Sequence, residues 1–120
     1  MTRRILIVED ESLIAMLLED LLADIGYTVV AAVPNVDQAL TMLAAEDVDL
    51  AIVDVNLGGT PSFPVAEALA KRGIPFLFTT GYGQRGLPEH FATRPVLQKP
   101  FRRVDLEAAL APLAADLPND

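Results

Sequence analysis

Ile5-Leu6-Ile7-Val8 is a run of branched aliphatic residues with Arg3-Arg4 before it and Glu9-Asp10-Glu11 directly after it. A run of this kind suits a central strand buried on both faces. The segment that follows, Ser12 to Ile25, repeats Leu and Ile at helical spacing in two series, Leu13/Leu17/Leu21 and Ile14/Leu18/Leu22, and meets Gly26, a good helix stop. The same alternation continues along the chain. Tyr27 to Ala32 reads as a second strand, Val36 to Ala45 as a second helix, and Leu50 to Val53 as a third strand ending at Asp54. Pro61 to Arg72 reads as a helix stopped by Gly73, Ile74 to Thr79 as a fourth strand, Arg94 to Gln98 as a fifth, and Val104 to Ala115 as a last helix whose end Pro112 disturbs. Five strand signals separated by helix signals imply an α/β domain: an open, doubly wound parallel sheet with helices on both faces and right-handed crossovers. Residues 83–93 are the weak place. Gly83, Gly86 and Pro88 punctuate the only segment that can hold the fourth helix, so that helix is expected to be short, irregular or mobile.

The 120 residues are enough for a single domain that buries roughly two-thirds of its unfolded surface without metal or disulfide support. Nothing reads as a linker or a repeat, residues 116–120 read as a frayed tail, and no output domain is expected after the last helix. The absence of Cys excludes a disulfide framework, a thiolate zinc site and an iron–sulfur cluster. With 9 Lys+Arg against 17 Asp+Glu the formal charge is −8, which argues against nucleic acid as a partner. Acids at positions 9 to 11 spoil a signal peptide, and no apolar run is long enough for a membrane span, so a cytoplasmic location is expected.

Ligands of open parallel sheets bind at the carboxyl ends of the strands. Here those ends carry Glu9-Asp10, Asp54, Thr80 and Lys99-Pro100. Two carboxylates about 4 Å apart repel by roughly 4 kcal/mol at an effective dielectric near 20, so a cluster of three needs raised pKa values or a cation. A hard divalent ion is the better solution: Mg²⁺ takes oxygen ligands, keeps several waters, and commonly joins one or two carboxylates to a phosphate. That chemistry fits Asp10 and Asp54.

These residues resemble the receiver domains of two-component response regulators, and the likeness covers essentially the whole chain. Its marks are Ile-Leu-Ile-Val-Glu-Asp-Glu at 5–11, Asp-Val-Asn-Leu at 54–57, Thr-Thr-Gly at 79–81 and Lys-Pro-Phe at 99–101. The stretch from Pro75 to Gly83 resembles more narrowly the FATGUY group of single-domain receivers, with Thr79 in place of its Ala. The resemblance implies a flavodoxin-like (βα)5 fold with strand order 2-1-3-4-5. It also implies that Asp54 accepts a phosphoryl group from a phosphohistidine on a sensor histidine kinase or histidine phosphotransfer protein. Asp10 and Asp54 would hold Mg²⁺ directly, Glu9 through water, and the backbone carbonyl of Asn56 would complete the protein's share. Lys99, aimed by a cis bond to Pro100, would pair with Asp54 and later with the phosphoryl oxygen, while Thr80 would move its hydroxyl onto another. Output would come from contact with a downstream protein, with no enzymatic activity beyond the domain's own phosphorylation and dephosphorylation.

One part of the usual receiver switch is replaced. The aromatic residue commonly found three places before the Lys is here Val96, which cannot report by a ring rotation, so residues 83–93 together with Tyr82 and Phe91 are expected to order on phosphorylation instead. The first helix is Leu-rich on more than one face, and the plain expectation is that a two-sided core takes both stripes. The alternative is docking: in receivers this helix lies against a helical bundle bearing the donor His, and Ile14, Ala15 and Leu18 would supply the apolar patch. Arg85, Arg94, Arg102 and Arg103 read as a solvated surface, with a weak homodimer face as the alternative. Glu11, Asp47 and Asp49 read as solvated or capping acids, and His90 as a surface residue.

Three other readings compete. A haloacid dehalogenase-type phosphatase needs a second Asp two places after the nucleophile, where this chain has Asn56. A nucleotide or flavin module needs a Gly-rich phosphate loop after the first strand, where this chain has acids. A receiver serving as an unphosphorylated scaffold would not need the acceptor, metal and Lys positions, all of which are present.

Overall fold

The computed structural model describes residues 3–81, 91 and 94–115. Its elements in chain order are β1 (Arg4–Val8), α1 (Ser12–Ile25), β2 (Thr28–Val33), α2 (Val36–Ala45), β3 (Leu50–Asp54), β4 (Asn56–Leu57), β5 (Thr60–Pro61), α3 (Phe63–Lys71), β6 (Phe76–Thr80), β7 (Val96–Gln98) and α4 (Arg103–Ala115). Five strands form one parallel sheet in the order β2-β1-β3-β6-β7, which is the flavodoxin-like 2-1-3-4-5 arrangement once the short β4–β5 pair is set aside. Residues 83–93, where the fourth helix of the (βα)5 pattern is expected, lie outside the described residues apart from Phe91.

Side chains alternate across the sheet, so each strand feeds two cores. Ile5, Ile7, Ile52 and Leu77 pack with Leu18 and Leu22 of α1 and with Leu106 and Leu110 of α4. Leu6, Val8, Val53, Phe76 and Phe78 pack on the other side with Ala39 and Leu43 of α2 and with Val65 and Leu69 of α3. The apolar runs are therefore buried on both faces, as a parallel sheet covered by helices requires. By the same alternation Asp54 and Thr79 fall on the α1/α4 side, and Thr80 on the α2/α3 side.

Helix ends follow local chemistry. Gly26 closes α1 at φ 117°, a left-handed conformation that favours Gly, and its N–H donates to the carbonyls of Leu22 and Ala23. Asn35 caps α2, its side chain accepting from Gln38 N at 2.8 Å. Several boundaries differ from the sequence reading. Pro61 is in β5 rather than in α3, which begins at Phe63 after Ser62. Pro112 sits inside α4 without ending it among the described residues.

The largest departure is α1. Only one stripe, Ala15, Leu18 and Leu22, is buried, while Leu13 is 80%, Met16 57% and Leu17 45% exposed. A single helix on a sheet offers one face to it, so of the second apolar stripe Leu13 and Leu17 stay exposed and only Leu21 packs partly against the core. The docking patch assigned to Ile14, Ala15 and Leu18 is corrected by the same fact: Leu18 is fully buried and Ala15 nearly so, leaving Ile14, half-buried, as the member that reaches the surface.

Candidate functional site

In the sheet order, the chain runs from β1 outward to β2 and then returns past β1 to β3. The switch point between β1 and β3 opens a crevice at the carboxyl ends of the strands, where the loop leaving β1 carries Glu9 and Asp10 and β3 ends in Asp54. Register places Val8 beside Val53 and Asp54 beside Thr79, so the three carboxylates arrive at one rim from two neighbouring strands.

Glu9, Asp10 and Asp54 each offer a carboxylate oxygen, and these oxygens lie within 4.8 Å of one another. Glu9 and Asp54 are buried, whereas Asp10 remains solvent-accessible. Lys99 reaches over from the end of β7. Its Nζ donates to Asp54 Oδ2 at 2.8 Å, lies 2.8 Å from Glu9 Oε1, and stands 3.8 Å from Glu11 Oε1. The remaining oxygens are also engaged: Asp54 Oδ1 accepts from Asn56 N at 3.1 Å, and Glu9 Oε2 accepts from Glu11 N at 3.0 Å. Lys99 is itself held by its backbone N–H, which donates to Thr80 O at 2.8 Å; the Lys99–Pro100 bond is cis.

Burial pushes the Glu9 carboxyl up to about 7, against the pull of its hydrogen bonds to Lys99 and Glu11, with the Asp54 charge pushing the same way as burial. Burial opposes the Lys99 charge, but hydrogen bonds to Asp54 and Glu9 outweigh it and raise the ammonium above its ordinary value. Among the described residues the Lys99 ammonium thus lies against three carboxylates, Glu9, Glu11 and Asp54, while Asp10 adds a fourth beside Glu9 and Asp54. The surplus negative charge and the all-oxygen donor set fit a hard divalent cation such as Mg²⁺. A cleft of about 260 Å³ lies over these groups, lined by Asp10, Asp54, Asn56, Gly58, Gly59 and Lys99 among others.

Thr80 ends β6 at the same rim and is buried. Val96 is half-buried against the α2/α3 core, opposite Phe78 in register. Phe91 is 2% exposed and sits among Phe63, Phe76 and Phe78 at ring distances of 6.2, 6.1 and 5.7 Å. Tyr82, Arg85, His90 and most of the segment expected to order on phosphorylation lie outside the described residues. The remaining arginines of the suggested dimer face have partners within the chain: Arg94 stacks on Phe76, Arg102 pairs with Asp105, and Arg103 pairs with Asp24 and Glu107.

Glu11, read as a solvated or capping acid, is exposed and stands at the N-cap position of α1 without a side-chain capping bond, and it also borders the cleft near Lys99. Sequence reasoning missed the turn over the cleft. Gly58 and Gly59 form the tip of the β4–β5 hairpin over the cleft; a Gly-Gly pair is a known sign of a two-residue hairpin, but the strands flanking it are too short to show alternation. Beside the site, Ile14, Leu17, Lys99, Pro100 and Phe101 line a groove of about 330 Å³ that joins the exposed stripe of α1 to the reactive end of the sheet. Among the described residues no helix is long and apolar enough to cross a membrane.

The chain matches the response regulator receiver domain family over residues 5–111. Transcriptional regulatory protein PdtaR of Mycobacterium tuberculosis is 34% identical over 112 residues, which cover 90% of this chain and 55% of PdtaR. The chain therefore spans about half the length of that curated relative. The solution structure of SdrG from Sphingomonas melonis Fr1 is 51% identical, with a TM-score of 0.84 over 94% of this chain and 97% of SdrG. The BeF3-activated conformation of SdrG is 49% identical, with a TM-score of 0.79 over 92% of this chain and 97% of that one.

Proposed function

The chain belongs to the response regulator receiver domain family, and from that premise we propose that it is a phosphoacceptor of two-component signalling, modified on Asp54 with the help of Mg²⁺. The observation that carries the reading is the Asp54 carboxylate itself, buried, held by Lys99 at 2.8 Å and bordered by two further acids whose oxygens lie within 4.8 Å.

A carboxylate is a weak nucleophile, and phosphoryl transfer depends mostly on alignment and on neutralising charge at the equatorial oxygens. Asn56 N and Lys99 Nζ hold the two Asp54 oxygens and so fix the plane of the nucleophile. One Asp54 oxygen forms the new O–P bond as the P–N bond of a phosphohistidine breaks, and the imidazole nitrogen keeps the electron pair of that bond. Bound Mg²⁺, held by Asp10, Asp54 and the Asn56 carbonyl with Glu9 acting through water, would neutralise phosphoryl oxygen charge. Lys99, already beside the nucleophile, transfers its hydrogen bond to the incoming phosphoryl oxygen, and Thr80 at the same rim supplies a hydroxyl to another.

The donor is a protein. The groove of Ile14, Leu17, Pro100 and Phe101, continuous with exposed Leu13 and Met16, gives an apolar seat beside Lys99 for a helix bearing the phosphohistidine, as on a sensor kinase or phosphotransfer domain. Output passes to a downstream protein that distinguishes the modified from the unmodified rim. Incubation with acetyl phosphate and Mg²⁺ followed by intact-mass measurement tests the chemistry: one added phosphoryl group, absent in Asp54→Asn, is the expected result. No adduct on a folded sample would leave the unphosphorylated scaffold as the reading.

A further inference from the structure

The β4–β5 hairpin is placed and built in a way that the phosphoacceptor chemistry alone does not require. Its register pairs Leu57 with Thr60 and Asn56 with Pro61 around the two-residue turn Gly58-Gly59. In a two-residue hairpin the pair next to the turn exchanges hydrogen bonds, and the next pair does not. The rung beyond agrees, since Ser62 N donates to Val55 O at 3.0 Å. Asn56 and Pro61 therefore occupy a non-hydrogen-bonded position, where N–H and C=O both turn away from the partner strand. Pro, which has no N–H, is at home there. The outward N–H of Asn56 is seen to reach Asp54 Oδ1 at 3.1 Å, so its carbonyl faces the same side, that of the cleft.

The hairpin is held in this pose at three points. Leu57 is 5% exposed and belongs to the α2/α3 core. Ser62 is fully buried, and its hydroxyl donates to Val55 O at 3.2 Å beside the backbone bond to the same carbonyl. The Asn56 side chain closes the loop on itself, Oδ1 accepting from Gly59 N at 2.7 Å. The turn needs both glycines, with φ at 62° and 92°. At Gly58 the tip also comes against the metal carboxylates, because a Cβ there would stand 3.6 Å from Asp10 Oδ2.

We propose that this Gly-Gly hairpin is a positioning device for the divalent ion: it presents the Asn56 carbonyl to the cation, and the Asn56 side chain acts through Gly59 by locking the turn. The proposal rests on the reading of the cleft as a Mg²⁺ site. Partners that orient metal ligands commonly change metal affinity on the order of 10- to 100-fold when removed.

The test is a Mg²⁺ titration of the whole chain followed by amide NMR, with hydrogen exchange at Gly59 as a second readout. Asn56→Ala keeps the carbonyl and removes the lock, so it should weaken Mg²⁺ binding by about tenfold and expose the Gly59 amide to exchange. Asn56→Asp keeps an acceptor oxygen and should restore Gly59 protection. Gly58→Ala, which strains the turn without touching Asn56, should weaken the ion in the same way. Binding in wild type with unchanged affinity in both Asn56→Ala and Gly58→Ala would overturn the hairpin's role while leaving the site intact. A wild-type chain that shows no Mg²⁺ response at Asp10, Asp54 and Asn56 would instead overturn the underlying site.

Discussion

Lys99 Nζ and Asp54 Oδ2 stand 2.8 Å apart at the rim of the sheet, the side chain of the first 14% exposed and that of the second 7%. The pair is shared, because the same ammonium also lies 2.8 Å from Glu9 Oε1. Removing one partner of a buried pair costs about 3–5 kcal/mol when the other charge is left behind. Lys99→Met should therefore destabilise the metal-free protein at neutral pH, read as a lower thermal midpoint, and part of that loss should return with added Mg²⁺. Phosphorylation from acetyl phosphate should slow on the order of a hundredfold, the usual scale for losing one preorganised donor to a developing oxyanion.

Glu9 gives the site a pH dependence. Its carboxyl ordinarily titrates at 4.5 and burial lifts it to about 7 in the folded chain. Between those values the folded state keeps a proton that the unfolded state has lost. The stability this proton supplies is complete below the lower value, declines as pH rises, and is gone once pH passes the upper one. Thermal unfolding without metal should show that decline. Mg²⁺ competes for the same oxygen region, so its affinity should grow over the same interval, and calorimetry in two buffers of different ionisation enthalpy should detect proton release on binding. Glu9→Gln should flatten both curves.

Thr79 carries a buried hydroxyl that has no hydrogen-bond partner among the described residues, at 1% exposure. An unsatisfied buried polar group costs about 1–3 kcal/mol. Thr79→Val keeps the shape and removes the group, so chemical denaturation should show a gain of about 1 kcal/mol with an unchanged slope. Thr79→Ala also removes the hydroxyl but leaves a hole, and should gain less or lose.

The two faces of α1 should separate under mutation. Leu18→Ala, in the core, should cost about 2–5 kcal/mol. Leu13→Glu, at an exposed position, should change stability by less than about 0.5 kcal/mol yet slow phosphoryl transfer from a phosphohistidine protein. Equal transfer rates for Leu13→Glu and wild type would remove α1 from the docking surface.

Much of this architecture was readable in advance because parallel strands buried on both faces leave an unambiguous trace. Ile5–Val8 and Leu50–Val53 are uniformly apolar and end abruptly in acid, which located both the sheet and its reactive rim. The misreading of α1 has a physical origin: Leu13, Leu17 and Leu21 have the spacing of a core stripe, and periodicity does not say whether a second surface exists to cover it. Leu57 and Thr60–Pro61 were not readable as strands, since two-residue ladders carry no period. The link between Glu9 and Lys99 was equally hidden, because it depends on the depth at which two loops from opposite ends of the chain meet.

The alternation described for the sheet sets Asp54 among the side chains under α1 and α4, and Thr80 among those under α2 and α3. The two halves of the interior are otherwise walled off from each other by continuous backbone. A group attached to Asp54 that accepts a hydrogen bond from the Thr80 hydroxyl would stitch the two layers together over the top of that wall. A disturbance arriving on one flank would then have a polar path to the opposite flank that bypasses every hydrophobic contact in between.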